Sequence, residues 1–173
     1  MTGDDGRLTS DGMGWVDQPD RLITVLGVGN PIMGDDGIGV RLLSAVQQAR
    51  PDPRVNYVDG GTGGMELLPV VQDAARLLVL DAVAGPEPGA VARLSGDQVP
   101  RMLSSALSPH QVGLLDVFTA ARLLGREPDR IEVVGVTPES VELGLELSAP
   151  ASAALTEATA QACAILDEWL TSC

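Results

Sequence analysis

Residues 22–26, Leu-Ile-Thr-Val-Leu, form a near-continuous apolar run that breaks into Gly-Val-Gly-Asn-Pro-Ile-Met-Gly-Asp-Asp-Gly before apolar residues resume at helical spacing. The resumed pattern is Ile38, Val40, Leu42, Leu43 and Val46. An apolar run that does not alternate fits a strand buried on both faces, and such strands occur in parallel sheets covered by helices. The pattern therefore predicts a strand over 21–28, a tight glycine-rich turn, and a helix over 37–49 closed by Pro51 and Pro53. A strand, glycine turn and helix in this order commonly cradle a phosphate, because free backbone N–H groups and the helix N-terminus attract anions. Here Asp35 and Asp36 stand where the anion would sit.

The same alternation continues along the chain. A short strand over 55–58 runs into Asp59-Gly60-Gly61-Thr62-Gly63-Gly64, a helix is predicted over 65–75, and a third strand over 77–83 carries Asp81 near its C-terminal end. The linker from there to the apolar run at 90–94 is too short for a parallel crossover, so that fourth strand is predicted antiparallel and at an edge. Residues 98–107 are mixed and receive no assignment. Ser108, Pro109 and Gln111 read as N-cap, first helical position and capping-box partner of a helix ending near Leu124, with Gly125 beyond it. A fifth strand is predicted over 130–136 and an irregular acidic connection over 137–147, in which Thr137-Pro138-Glu139-Ser140 reads as a plain turn. Ser148 caps a closing amphipathic helix over 150–170. The predicted fold is α/β: a three-layer α/β/α sandwich around a mostly parallel, five-stranded twisted sheet with one antiparallel strand. Residues 1–20, rich in Gly, Asp, Ser and Thr, are expected to be a disordered leader, and 21–173 a single domain.

Composition narrows the function. A formal net charge of −13 argues against nucleic acid, whose binders carry basic patches. No apolar stretch approaches the length of a membrane span, and the first residues lack a basic start and apolar core, so a cytoplasmic location is expected. Cys163 and Cys173 fit neither a metal-spacing motif nor a disulfide framework.

The turn chemistry decides between anion and cation. Gly29 and Gly34 have P-loop spacing, but Asp35 and Asp36 replace the Lys and Ser/Thr that would hold phosphate and magnesium. A dinucleotide fingerprint starting at Gly27 and Gly29, with Asp59 as ribose acid, lacks its third glycine because Ile32 occupies that position. In a doubly wound sheet the second and third strands flank the first, and ligands bind in the crevice at the strand C-termini. That topology brings Asp35 and Asp36 beside Asp81, with His110 entering on a helix from the same end. Clustered carboxylates repel unless a cation or proton relieves them, and with an imidazole they suit a first-row ion such as zinc or nickel. The helix N-terminus would favour the neutral, metal-binding imidazole. As helix N-terminal acids, Asp35 and Asp36 would be worth only about 0.3–1 kcal/mol each.

The blocks GVGNPIMGDDGIGVR, DGGTGGMELLP, LVLDAV, SPHQVGL and VGVTPES, in that order, resemble the endopeptidases that mature nickel-iron hydrogenases. The resemblance covers roughly residues 23–170. It implies a cytoplasmic protease that removes a C-terminal extension from the hydrogenase large-subunit precursor after nickel insertion. It also implies that Asp36, Asp81 and His110 are the catalytic and metal-contacting residues, and that nickel arrives with the substrate. A crystal could then hold a surrogate ion such as Zn, Cd or Ni. Several family members carry Glu where this chain has Asp36, so the loop would approach the metal more closely or Asp35 would share the role. Water would be activated by the metal or by a carboxylate. Asp35, Asp59, Gly60, Gly61 and Thr62 are candidate substrate contacts. The same residues would serve a non-cleaving assembly factor or metal chaperone, and a nucleotide-binding Rossmann-like enzyme is the more distant alternative.

Overall fold

The computed structural model describes residues 22–104 and 108–172, so the expected leader, Arg21, residues 105–107 and Cys173 lie outside the described residues. Strands β1 (Leu22–Val28), β2 (Val55–Gly61), β3 (Ala74–Ala82), β4 (Val91–Ser95) and β5 (Arg130–Val136) form one sheet in the order β2-β1-β3-β5-β4. All neighbours are parallel except β4, which pairs antiparallel with β5 at the edge, as the short linker after Asp81 requires. The helices are α1 (Ile38–Ala49), α2 (Leu68–Asp73), α3 (Gln98–Ser104), α4 (Pro109–Leu123) and α5 (Ala149–Thr171).

Side-chain alternation sorts two cores. Leu78, Leu80 and Ala82 of β3 face α1 and α5, meeting Ile38, Leu42, Val46, Ile165 and Trp169. Leu77 and Val79 face the other way, against Val71, Leu103, Leu114 and Val117 of α2, α3 and α4. Period-two alternation therefore sends Asp81 to the α4 side. Leu77, Leu78, Val79 and Leu80 are all fully buried, and truncating one of these leucines to alanine costs about 2–5 kcal/mol. On α5 the inner face is Ala151, Ala154, Ala158 and Ala162 before it thickens to Ile165, Leu166 and Trp169, so its first turns lie close to the sheet.

Two glycines bring the carboxylate turn onto the sheet. A Cβ at Gly39 would stand 2.1 Å from the Val28 carbonyl oxygen and 2.2 Å from that of Leu80, so α1 starts directly on the ends of β1 and β3. Gly29, with φ of 132°, lets the chain leave β1 and return, since a Cβ there would lie 1.9 Å from the Asp36 carbonyl oxygen.

Several boundaries differ from the sequence expectation. The helix expected over 65–75 is a 3₁₀ turn at Met65–Leu67 followed by the short α2, because Ala74 already pairs with Leu22 and Arg76 with Ile23. Strand β2 runs on to Gly61, opposite Val28, and absorbs part of the second glycine turn. The unassigned stretch forms α3 as far as Ser104. A 3₁₀ turn at Gly34–Gly37, carrying both aspartates, precedes α1.

Candidate active site

A cleft of about 570 Å³ opens at the C-terminal ends of β1, β2 and β3. Asp36 and His110 line it together with Asn30, Thr62, Ser108 and Val141. The doubly wound topology thus brings Asp36, Asp81 and His110 together, with Asp81 fully buried beneath the imidazole. His110 Nε2 lies 3.2 Å from Asp81 Oδ1, and Nδ1 lies 3.6 Å from Asp36 Oδ2 and 2.6 Å from Ser108 Oγ.

Asp81 is held from several sides. Its Oδ1 accepts from the Ala82 amide at 2.7 Å and its Oδ2 from Gln111 Nε2 at 2.8 Å, while the same Gln111 nitrogen donates to the Ala82 carbonyl at 2.7 Å. Gln111 is itself 1% exposed. The capping-box reading of Ser108 and Gln111 is corrected here. Ser108 is the N-cap residue by position, but its hydroxyl makes no cap bond and pairs with the imidazole, and Gln111 reaches into the sheet instead of back to the cap.

Burial pushes the Asp81 carboxyl above its ordinary range, partly offset by donation from His110 and Gln111. Burial lowers His110, but the hydrogen bond to Asp81 and the charges of Asp81 and Asp36 outweigh it, so the imidazole pKa lies above its usual value. The two carboxylates thus act against the bias toward the neutral imidazole that a helix N-terminus alone would give.

Asp36 is 3% exposed; Oδ2 accepts from the Asn30 amide at 3.0 Å, and the buried Oδ1 has no hydrogen-bond partner. A buried carboxylate oxygen without a donor is costly and calls for a cation or a proton. Two ligands at about 2.1 Å from one ion, at a tetrahedral angle, stand about 3.4 Å apart. The 3.6 Å between His110 Nδ1 and Asp36 Oδ2 matches that span. With Nε2 on Asp81, however, the imidazole separates the two carboxylates, and among the described residues no three His, Cys, Asp or Glu side chains form a ready coordination group.

Asp35 faces away from this cluster. Its carboxylate accepts from the amides of Ser148 (2.7 Å), Glu139 (2.9 Å) and Ser140 (3.4 Å) and from the Ser148 hydroxyl (2.7 Å). Burial opposes its ionisation, yet those donors together hold its pKa below the ordinary value. The idea that Asp35 shares the metal role therefore conflicts with a carboxylate already committed to four donors. The 137–140 segment, read as a plain turn, is one of its anchors.

Among the other candidate contacts, Thr62 lines the cleft with Gly63 and Gly64. Asp59 is exposed and its Oδ1 accepts from the Gly61 amide at 2.9 Å. Gly60 packs on Leu26, and the Gly61 carbonyl accepts from the Gly29 amide. Sequence reasoning missed Asn30, Ser108 and Gln111 as site residues. Ser108 stands two residues from His110, which local spacing could have signalled, whereas Gln111 meets Asp81 across 30 residues of chain and Asn30 acts through its backbone amide.

A doubly wound α/β domain whose cleft at the strand C-termini carries carboxylates and an imidazole offers the acid–base groups of a hydrolase and repels phosphate. Comparison with known proteins makes this specific. Residues 40–165 match the family model described as hydrogenase maturation protease. The hydrogenase 2 maturation protease of Escherichia coli K12 is 40% identical over 149 residues, covering 84% of this chain and 91% of that protein. The hydrogenase expression/formation protein HupD of Bradyrhizobium diazoefficiens is 38% identical over 155 residues, covering 87% and 80%. The structure of the hydrogenase-maturating endopeptidase HybD from E. coli superposes with a TM-score of 0.80 at 40% identity, over 85% of this chain and 93% of that one. The nickel-iron hydrogenase maturation protease HybD from Thermococcus kodakarensis gives 0.68 at 25% identity, over 82% and 96%. The chain belongs to the hydrogenase maturation protease family and is a hydrolase of that kind. Among the described residues, no helix is long and apolar enough to cross a membrane.

Proposed function

We propose that this protein removes a C-terminal extension from the precursor of a nickel-iron hydrogenase large subunit once nickel has been inserted, in the cytoplasm, and that Asp36, Asp81 and His110 recognise the nickel. The observation that carries the reading is the unpartnered, buried Oδ1 of Asp36 in the wall of the cleft, next to an imidazole at the spacing of a shared ion. The nickel belongs to the substrate and brings ligands from the precursor with it, which suits a protein side that offers two or three donors rather than a closed cage.

In this mechanism the precursor lays its scissile peptide in the cleft with the nickel beside Asp36. Water attacks the peptide carbonyl, and Asp36 takes the water proton as general base. The carbon–nitrogen bond breaks, and Asp36 passes that proton on to the departing amine, while His110, fixed by Asp81, contacts the nickel through Nδ1. Gln111 and the Ala82 amide hold Asp81 in place for that step. The substrate's nickel polarises the reacting carbonyl and sharpens the distinction between loaded and empty precursor.

The test is incubation of the protein with nickel-loaded and nickel-free precursor, read by mass. Loss of a C-terminal fragment from the loaded form alone is expected, with Asp36→Ala, Asp81→Ala and His110→Ala each slowing it by at least about 10²-fold. Wild-type rates in all three variants would remove the assignment. A stable complex with unchanged mass would instead indicate an assembly factor that grips the precursor without cutting.

A further inference from the structure

Helix α4 contains a glycine that the fold does not require. Gly113 sits one turn after His110, on the same face, and lines the cleft opposite Gly64 of the loop after β2. Glycine inside a helix is unfavourable relative to alanine, so a position that keeps it usually does so because a Cβ would collide with something. At Gly113 no such collision exists. Beyond its own helix turn, an added Cβ would meet one atom within 4 Å, the Gly64 Cα at 3.4 Å, which is ordinary contact. The contrast with Gly39 is direct, since a Cβ there would stand 2.1 Å from a backbone oxygen.

A methyl group at 113 would just touch Gly64, so the two glycines meet as a strip of bare backbone in the cleft wall, with no side chain of this chain covering it. The buried and unpartnered Asp36 Oδ1 in the same cleft points independently to an occupant. Apolar side chains of Met33 and Val141 line the same cleft, and Val141 is exposed. Bare backbone flanked by apolar side chains suits an extended peptide: its main chain passes over the glycines and its side chains reach the rim.

We propose that Gly113, faced by Gly64, is a substrate-seating residue over which the main chain of the precursor's scissile segment lies, at van der Waals distance that no side chain at 113 would allow. This rests on the functional reading above and adds to it the residue that sets how deeply the peptide enters. A methyl group there lifts the peptide by about an ångström, and displacement on that scale costs on the order of 10²-fold in rate.

The test replaces Gly113 by Ala and by Leu in the full chain. Thermal unfolding, precursor retention on the immobilised protein, and cleavage of nickel-loaded precursor are then measured. Stability and function should move in opposite directions. Gly113→Ala is expected to raise the Tm by roughly 1–4 °C, the usual gain from alanine in a helix of a chain this size. The same variant should slow cleavage at least 10-fold, and Gly113→Leu should slow it further and weaken retention. A fall in Tm with Gly113→Ala would make the residue a packing glycine and overturn the proposal, as would undiminished cleavage by the leucine variant. Failure of the wild-type protein to cleave loaded precursor would remove the functional reading and this inference with it, whereas wild-type cleavage matched by Gly113→Leu would remove the inference alone.

Discussion

Replacing Asp35 separates the structural carboxylate of the turn from its chemical neighbour. Asp35 is 1% exposed, and three short hydrogen bonds with one longer one connect it to 139–140 and to the cap of α5. A hydrogen bond to a charged group contributes about 1.5–3 kcal/mol, and an amide left unpaired in a partly buried place costs about 1–3 kcal/mol. Recovered hydration of the carboxylate and water entering at the rim offset part of this. Asp35→Ala should therefore destabilise by about 3–5 kcal/mol, which for a chain of this size lowers the Tm by roughly 6–20 °C. Asp35→Asn keeps one acceptor oxygen but turns an NH₂ toward donors, and should cost about 2 kcal/mol. Ser148→Ala removes a donor to Asp35 and the acceptor for the Ala151 amide, for about 1–2 kcal/mol. Because the partners are shared, the Asp35→Ala/Ser148→Ala pair should lose less than the sum. Denaturant and thermal unfolding followed by circular dichroism measure all four. The pH dependence supplies a second reading. The folded pKa of Asp35 is depressed, so its stabilisation is present above the unfolded value of about 3.9 and is lost as the pH falls through the lower folded value. The gap between wild type and Asp35→Asn should accordingly close below about pH 3.9. An Asp35→Ala protein that melts like wild type but no longer cleaves would refute the division of labour and make Asp35 part of the chemistry.

Asp36→Ala should abolish processing of loaded precursor with a smaller change in Tm than Asp35→Ala, because the charge it removes has one amide donor, an imidazole at 3.6 Å and one unpartnered oxygen where Asp35 has four donors; mass spectrometry and unfolding check the two halves. Asp81→Asn removes the charge that raises His110, so the acidic limb of the rate profile, where protonation takes the imidazole away from the nickel, should move to lower pH. Ser108→Ala should retain cleavage within about 10-fold, since the hydroxyl only orients the imidazole; complete loss would mark Ser108 as a nucleophile. Gln111→Leu should destabilise by about 2–4 kcal/mol, because it orphans buried Asp81 Oδ2 and the Ala82 carbonyl, and should also lower the maximal rate.

The parts of the fold that were legible are those where one physical constraint acts alone. Continuous apolar runs marked β1, β3 and β5, because only strands buried on both faces tolerate them. The short link after Asp81 excluded a crossover and placed β4 antiparallel at the edge. The helix expected over 65–75 failed where two constraints compete. Ala74, Ala75 and Arg76 favour helix by composition, but pairing with β1 takes them into β3. The polar residues of α4 failed for a related reason. Ser108 and Gln111 satisfy the spacing of a capping box, and local spacing carries no information about Asp81, which lies 30 residues before Gln111 and meets it only once β3 and α4 pack.

The adjacent aspartates show where reading residue types stops and geometry begins. Both were identifiable as chemistry, and their spacing from Asp81 and His110 followed from the doubly wound topology. Which of the two enters the cleft did not follow, because it depends on the turn that carries them. Gly34–Gly37 is a 3₁₀ turn, in which successive side chains are rotated by about 120°, so neighbours cannot share a face. One carboxylate must then turn toward the start of α5 and the other toward α4. Asp35 takes the first direction because Ser148 and the 139–140 amides wait there, and that commitment fixes Asp36 toward His110. The anchored aspartate is thus what gives the free one its direction.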